Sequence, residues 1–398
     1  MPSREAAWGV ARGSTDRCVR GENVTGSSTI SAVKVATLRA PLPVPVVFGN
    51  WVMRHREFAI CGVIAADGTV GVSYCYTRDG PIQALVERLI APQYAGKDPA
   101  RPEELVDAAA WSNNAVLASG IGHRAVSLVD VATWDLAAKL GGKTIEEMLG
   151  GEARPHPATA IVGYPPTMPL DELKKQVDGL LDGGWRRFKL PIAPTHEATR
   201  ERLSAVRAFG DELWLGLDMN WVFKNPTDAI EFIKSLEPIG LGWVEDLMPP
   251  GRAQDVAAVR RAVGVPIAMG DEQGGAYHPE ALMICDAVDI FRVDASTNGG
   301  ITGLRRVIAA LGERRYAPHM FPHVHSRLFS ALGIEGAPIE WGIVGNGVDQ
   351  VTDRFTRPVV TDGLMAPLPP DLGFGMAVDP DWLRAQGPDD PDHLIGDL

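Results

Sequence analysis

Seven polar residues recur along the second half of the chain, each where a short apolar run stops. Consecutive members are 21 to 29 residues apart, and they are Lys189, Asp218, Glu245, Asp271, Asp294, His319 and Glu340. This interval fits one strand, one helix and their connections. If the apolar runs are parallel strands, their carboxyl ends meet at one edge and the seven side chains share one site. A single strand-end polar residue often caps a helix instead, but seven in phase favour a common site.

Three acids on successive predicted strands indicate a cation site. Asp218, Glu245 and Asp271 would hold like charges close together, which raises the pKa of each unless a cation neutralises them. Hard oxygen ligands favour Mg²⁺. The adjacent acids Asp246 and Glu272 compete for the same role, and side-chain alternation favours the first acid of each pair. Separate salt bridges to arginine or lysine are the alternative.

The next strand ends suggest acid–base chemistry. Asp294 could orient His319 so that the far ring nitrogen takes a proton. Lys189 stands across the predicted mouth and could act as a second base. Glu340, if protonated, could donate a hydrogen bond to a substrate carboxylate, although a helix cap is also plausible. Two bases around a substrate held by Mg²⁺ suit abstraction of a proton α to a carboxylate.

These residues need a scaffold of alternating strands and helices. The apolar runs are ATAIVGY, RRFKLPI, LWLGLDMN, LGWVEDL, VPIAMGDE, AVDIFRVDAS, YAPHMF and APIEWG. Amphipathic segments follow them, and Asn225 with Pro226 suits the start of one helix. The alternation predicts an α/β fold, a (β/α)₈ barrel over residues 156–364.

The chain before the barrel has a different pattern. From Ser31 the residues alternate as in strands, with Asp67-Gly68 as a hairpin turn, and a helical spacing follows up to Gly151. We expect an α+β domain over residues 31–155. Residues 1–30 are polar and read as a flexible extension, and residues 365–398 are expected to pack back on the first domain.

Composition narrows the class of protein. The chain has 398 residues, a net charge of −12 and 45% hydrophobic residues, which is typical of folded globular chains and argues against a nucleic-acid partner. Its 4 cysteines form no metal or disulfide pattern, and no apolar run is long enough to span a bilayer. A cytoplasmic protein that binds no membrane is expected.

The sequence resembles the enolase superfamily, specifically its mandelate racemase group. The segments that carry the resemblance are DGTVGVSY, HRAVSLVDVATWDLAAKLGG, FKL, LDMN, WVED, MGDE, VDASTNGGITG and PHMFPHV. It implies an α+β capping domain over a modified barrel and a site that uses Mg²⁺. It also implies metal ligation by Asp218, Glu245 and Asp271, a His319–Asp294 dyad, and Glu340 as an electrophile.

The resemblance extends to a KxK motif with departures. Lys189 would match its second lysine, and Arg187 takes the place of the first, where it could lower the pKa of Lys189 or grip the substrate. The third ligand is Asp271 where the group more often has Glu, and Leu247 replaces a common proline. Asn220, two residues after Asp218, is assigned to substrate binding.

Two reactions fit the same enolate. Dehydration of a sugar acid to a 2-keto-3-deoxy acid is favoured, with Arg54, His55 and Arg56 placed to meet hydroxyls or a second carboxylate. The three could equally form a solvated strand face. Reprotonation from the opposite face by Lys189 would give a racemase or epimerase. A mandelate-like substrate would need an apolar loop, which Phe48, Trp51 and Val52 keep possible.

Other classes are less well supported. A muconate-type cycloisomerase would place a lysine where Asp294 stands, and a metal hydrolase would need histidine ligands on the first strand. A non-catalytic binding barrel is the alternative outside enzymes. The expected partner is a small carboxylate substrate, and barrels of this kind often form homo-oligomers.

Overall fold

The structure is a computed structural model, and it describes residues 28–48, 51–275, 277–377 and 380–385. All but the last three residues of the predicted extension, 1–30, lie outside this part. Within it, no helix is both long and apolar enough to cross a bilayer.

The first domain is a three-stranded antiparallel sheet with helices on one face. Its strands are β1 (Ile30–Phe48), β2 (Trp51–Ala65) and β3 (Val70–Tyr76). Its helices are α1 (Ile82–Leu85), α2 (Ala91–Tyr94), α3 (Pro102–Ser112), α4 (Asn114–Leu117), α5 (Gly120–Leu140) and α6 (Ile145–Met148). The turn between β2 and β3 contains the predicted Asp67-Gly68 pair, with Gly68 at a φ of 87°.

The long helix α5 lies directly on the sheet. At Gly71 of β3, an added Cβ atom would come within 2.1 Å of the Ala132 carbonyl oxygen of α5. Only glycine permits this close approach of helix and strand. The helix is therefore almost wholly buried, and it links the sheet to the second domain.

The second domain contains eight parallel strands in the predicted places. They are β4 (His156–Ile161), β5 (Arg187–Pro191), β6 (Trp214–Asp218), β7 (Trp243–Glu245), β8 (Ile267–Met269), β9 (Ile290–Val293), β10 (Tyr316–Pro318) and β11 (Ile339–Gly342). Each of β4 to β9 pairs with the next strand in the chain, and β11 pairs with β4, whereas β10 and β11 lie side by side without paired residues in the described part. The order curls the sheet into a barrel.

Seven helices connect these strands. They are α7 (Leu170–Asp182), α8 (His196–Arg207), α9 (Pro226–Leu236), α10 (Ala253–Arg260), α11 (Tyr277–Ile284), α12 (Gly300–Leu311) and α13 (Pro322–Ala331). Asn225 caps α9 as expected, its Oδ1 accepting the Asp228 N–H at 3.0 Å. After β11, the described residues hold a hairpin, β12 (Val360–Thr361) with β13 (Leu364–Met365), and the short α14 (Pro380–Ala385) instead of an eighth long helix. The barrel is a modified one.

The two domains are joined by buried polar contacts. Asp130 of α5 accepts both the Thr302 N–H, at 2.9 Å, and the Thr302 hydroxyl, at 2.8 Å. At Gly300 an added Cβ would lie 2.1 Å from Asp130 Oδ2, so this helix start must be glycine. Beyond the barrel, the Phe374 N–H donates to Asp135 of α5 at 2.8 Å. The capping domain is thus held over the barrel at several points.

Candidate active site

The carboxyl end of the barrel gathers the predicted acids. Asp218 and Glu245 end neighbouring strands and are paired in register, and Asp271 follows β8 by two residues. Asp246 and Glu272 stand beside them. Burial, and then the charge of Glu245, raise the pKa of Asp218 to about 7. Burial and the surrounding acids raise the pKa of Asp246 well above its ordinary value.

This cluster suits a cation. Asp271 Oδ1 is buried and accepts no hydrogen bond, and the same holds for Glu245 Oε2, although Arg292 Nε lies 3.3 Å away. Unpaired buried carboxylate oxygens are costly unless a cation satisfies them. Among the described residues, ligand atoms of Asp271, Glu272 and His319 lie within 4.8 Å of one another, whereas the three predicted ligands do not form such a set. The carboxylate oxygens fit a hard divalent ion, and both acids after β8 belong to this close set.

The backbone at this end adopts conformations that side chains seldom permit. Five residues just after the strands have positive φ angles, and they are Asn220, Trp221, Asp246, Met320 and Phe321. Such strain persists only where the surrounding structure enforces it, and it is concentrated at functional sites. Asn220 also donates its backbone N–H to Asp218 Oδ1 at 2.9 Å, which fixes that carboxylate.

The predicted dyad is formed. His319 Nδ1 donates to Asp294 Oδ2 at 2.9 Å, so Nε2 is the free ring nitrogen of a residue that lines the cavity. Burial opposes protonation, but Asp271 and Asp294 raise the pKa of His319 to about 9. His325 of α13 is fully buried, its Nε2 accepts the Ala295 N–H at 3.0 Å, and its Nδ1 contacts the Met320 carbonyl oxygen at 2.6 Å. His325 therefore ties together the two segments that carry the dyad.

Below the acids lies a buried ion network. Lys189 Nζ donates to Glu245 at 2.7 Å and to Glu340 at 2.8 Å. Arg292, which is fully buried on β9, donates to Glu340 at 2.6 Å. Burial opposes ionisation of Glu340, but Arg292 and Lys189 lower its pKa to about 2. Glu340 is therefore an acceptor here, in contrast to the protonated donor suggested from the sequence.

Lys189 is also further from the mouth than expected. In register, Lys189 pairs with Gly216, whereas Pro191 pairs with Asp218. Pro191, which has no titratable group, thus stands level with the acids, and both Lys189 and Pro191 line the cavity. Glu245 and Glu340 also raise the pKa of Lys189 despite the opposing effect of burial. Both features disfavour Lys189 as a base.

Arg187 is separate from this cavity, which corrects its assignment to substrate binding. Its side chain lies at the amino end of β5, where Nε donates to the Thr159 hydroxyl at 3.2 Å and the guanidinium stacks over Trp214 at 4.0 Å. It lies two positions before Lys189 on the strand, with Phe188 between them. Side chains of alternate strand residues share a face but differ in height along the barrel.

The capping domain closes the cavity with Arg56 rather than its neighbours. Arg56 is 7% exposed, lines the cavity and donates to the Gly347 carbonyl oxygen at 2.7 Å. Arg54 is exposed, and His55 contacts Asp79 outside the cavity at 2.9 Å. The predicted roles of Arg54 and His55 are not supported by this geometry. The register shift between Pro41 and Val46 of β1, opposite this part of β2, accompanies the change of facing.

The apolar loop considered for a mandelate-like substrate is only partly described. Val52 is 46% exposed, and the side chains of Phe48 and Trp51 lie outside the described residues.

Two arginines of the capping domain reach a barrel acid. Arg78 pairs with Glu272, and Arg124 contacts the same carboxylate at 2.9 Å. Although burial opposes it, the two cations hold the pKa of Glu272 below its usual range. Neither arginine was singled out from the sequence, because no local pattern marks a contact between residues about 150 to 190 positions apart. The contact joins the capping domain to the residue next to Asp271.

The family of the chain follows from this fold and site. Residues 30–150 match the family described as mandelate racemase / muconate lactonizing enzyme, N-terminal domain, and residues 172–382 match enolase C-terminal domain-like. The chain belongs to the mandelate racemase and muconate lactonizing enzyme family of the enolase superfamily. The predictions of fold class, of family and of an enzyme of this superfamily are confirmed.

Individual relatives indicate more than one reaction. The chain is 29% identical over 318 residues to L-talarate/galactarate dehydratase of Salmonella typhimurium, covering 77% of this chain and 80% of that protein. A racemase of Streptomyces coelicolor with bound magnesium has a TM-score of 0.80 and 25% identity, covering 90% of this chain and 99% of that one. L-Talarate dehydratase of Polaromonas sp. JS666, complexed with Mg and L-glucarate, has a TM-score of 0.77 and 26% identity, covering 90% and 97%.

Proposed function

We propose that the chain is a magnesium-dependent hydro-lyase that removes the proton α to a carboxylate and expels a β-hydroxyl. The substrate would be a sugar acid and the product a 2-keto-3-deoxy acid. The observation that carries this choice is the pairing of Pro191, rather than a lysine, with Asp218. A racemase that works through an enolate needs a base on each face of the substrate, and this position offers none.

His319 is the proposed base. Asp294 holds Nδ1, and the cation proposed beside Asp271 would lower the raised pKa of His319, so that a neutral imidazole can take the α-proton at Nε2 and Asp294 stabilises the resulting imidazolium. The same imidazolium can return that proton to the leaving hydroxyl, which balances the elimination as loss of water. Lys189 and Glu340 act as positioning residues, because both are engaged in the buried ion network.

The proposed cation is Mg²⁺, held by Asp218, Glu245 and Asp271 with Asp246 and Glu272 close by. When bound, it supplies the positive charge that stabilises the enediolate. The magnesium in the solved relatives and the unpaired oxygens of Glu245 and Asp271 support this assignment. Asn220 would keep Asp218 oriented through its backbone N–H.

Arg56 is the proposed contact for the far end of the substrate. Its guanidinium has no ion-pair partner among the described residues and lies on the capping side of the cavity, which the metal acids line from the barrel side. A hydroxyl or second carboxylate of a sugar acid would meet it there. The relative complexed with L-glucarate supports a substrate of this length.

The test is turnover of a library of sugar acids in D₂O with Mg²⁺. We expect 2-keto acid release by the wild type, loss of release in His319→Asn, and retention in His323→Asn. His323 is a matched control because it is buried on α13 and contacts the Thr356 carbonyl oxygen instead of the cavity. Circular dichroism and Mg²⁺ titration would show that each variant is folded and binds metal.

Two results would overturn the proposal. Deuterium at the α-carbon with inverted configuration and no keto acid would make the chain a racemase or epimerase. Ligand binding without turnover or exchange, equal in wild type and His319→Asn, would make it a binding protein.

A further inference from the structure

A second cleft lies at the opposite end of the barrel. Its floor is formed by the first residues of several strands, among them Arg187, Trp214 and Trp243, and its rim includes Arg314 and Arg315. Its volume is about 510 Å³, against about 40 Å³ for the cavity at the acids. The cleft is large enough for a small organic molecule.

The floor carries an arginine without an acidic partner. Arg187 is partly buried and held in one orientation by the Thr159 hydroxyl and by stacking on Trp214. Within the described part of the chain, no carboxylate oxygen lies within 4.0 Å of its guanidinium nitrogens. Burial and then Arg315 lower the pKa of Arg187 to about 10, against the effect of Glu340, so it remains charged at neutral pH.

Arg315 reinforces the positive charge. It is exposed at the rim and, among the described residues, it too has no carboxylate within ion-pair distance. The rim also carries two acids: Glu335 is paired with Arg154 at 2.9 Å, and Glu313 is exposed and, among the described residues, within ion-pair distance of neither Arg187 nor Arg315. Other buried arginines of this acidic chain, such as Arg124 and Arg327, do have carboxylate partners. Two neighbouring cations in a cleft repel each other, and a bound anion would relieve that repulsion.

The cleft is separated from the active site by packed rings. Trp214 and Trp243 meet edge to face with centroids 4.5 Å apart, and the Arg292 guanidinium covers Trp243 at 5.1 Å on the side of the buried ion network. Arg187 is thus turned away from the acids that would hold the metal. A ligand in the cleft would therefore bind independently of the substrate.

We propose that this cleft binds a small oxyanion, a carboxylate or phosphate, through Arg187 and Arg315. A planar guanidinium fixed by stacking can donate two parallel hydrogen bonds to either group. Trp214 provides an apolar wall beside that group. The site does not depend on the proposed dehydration.

The test uses inorganic phosphate and succinate as separate probes on the full chain. Binding of each probe is measured by calorimetry and by the fluorescence of Trp214 and its neighbours. We expect saturable binding of at least one probe, weakened at least about tenfold in Arg187→Met and in Arg315→Gln. Methionine keeps the apolar contact with Trp214, and Arg315 is exposed, so both variants should fold.

Two control variants separate this site from other cationic surfaces. Arg56→Gln removes the free arginine of the active cavity, and Arg305→Gln removes a surface arginine that is paired with Glu103. Binding should be unchanged in both. The proposal is wrong if neither probe binds saturably, if Arg187→Met and Arg315→Gln bind like the wild type, or if Arg56→Gln abolishes binding. Binding of phosphate alone or of succinate alone would support the site and identify the preferred oxyanion.

Discussion

The two ends of the barrel carry opposite charge on the same eight strands. At the carboxyl ends, three acids line a cavity of about 40 Å³, and at the amino ends arginines without a carboxylate partner among the described residues border a cleft of about 510 Å³. Along β5 the change takes five residues, from Arg187 at the floor through Lys189 to Pro191 at the mouth. One strand can therefore serve two unrelated environments, because alternate residues point inward at successive heights.

The largest effect on the difference between the two ends is expected when an acid at the mouth is neutralised. Asp218→Asn should weaken Mg²⁺ binding by at least about 100-fold, since it removes a charged ligand. The metal-free variant should also unfold at a higher temperature than the metal-free wild type, because burial and Glu245 already disfavour the ionised carboxylate. Calorimetric titration and thermal melts in EDTA check both, and Arg187→Met should leave Mg²⁺ affinity unchanged. Full Mg²⁺ affinity in Asp218→Asn would exclude this residue as a ligand.

A smaller effect is expected from the arginine that faces the acids across the cavity. Arg56→Gln should lower kcat/KM by about 10- to 100-fold through a raised KM, the loss expected for one charged hydrogen bond. Arg54→Gln is the matched control on the same strand, and its exposed side chain should not matter. Steady-state kinetics of both variants test this, and equal losses would mean that the two side chains merely keep the strand in place.

The smallest effect is expected at the floor. Arg187→Met should change the free energy of unfolding by no more than about 0.5 kcal/mol, in the stabilising direction, because it removes a largely buried charge and its repulsion with Arg315, against the lost attraction of Glu340 and the lost Thr159 hydrogen bond. Denaturant unfolding in a buffer free of phosphate and carboxylates would measure it. A strong destabilisation would show that Arg187 stabilises the fold and is not a cation available to bind an anion.

The strands and the mouth residues were accessible from the sequence because they depend on local spacing. The interval between Asp218, Glu245 and Asp271 sets both the strand order and the convergence of the acids. The position of Lys189 along the barrel axis could not be predicted from the sequence. Side-chain alternation indicates which face of a strand a residue occupies but not how far along the axis it lies, and only the register with β6 shows Pro191 beside Asp218. For a similar reason the sequence pointed to Arg54, His55 and Arg56 together without distinguishing Arg56 as the one that faces the cavity.

The ionisation state of Glu340 could not be predicted, because no sequence pattern marks Arg292 as its partner. Arg292 lies within the apolar run IFRV. A single charged residue in such a run interrupts the apolar pattern but does not indicate which residue it contacts. Its guanidinium is fully buried against Glu340, and this pairing determines that the carboxyl is ionised. Long-range ion pairs of this kind leave no periodic trace in a sequence.

The small size of the cavity has a kinetic consequence. Its free space of about 40 Å³ is room for about three water molecules, so we expect the roof, the part of the capping domain over the cavity, to move when a six-carbon acid binds. The roof is tethered where Arg78 and Arg124 hold Glu272. The residence time of product is then governed by how often those ion pairs part, and a rigid barrel floor with a releasable roof makes product escape a candidate for the slowest step of the cycle.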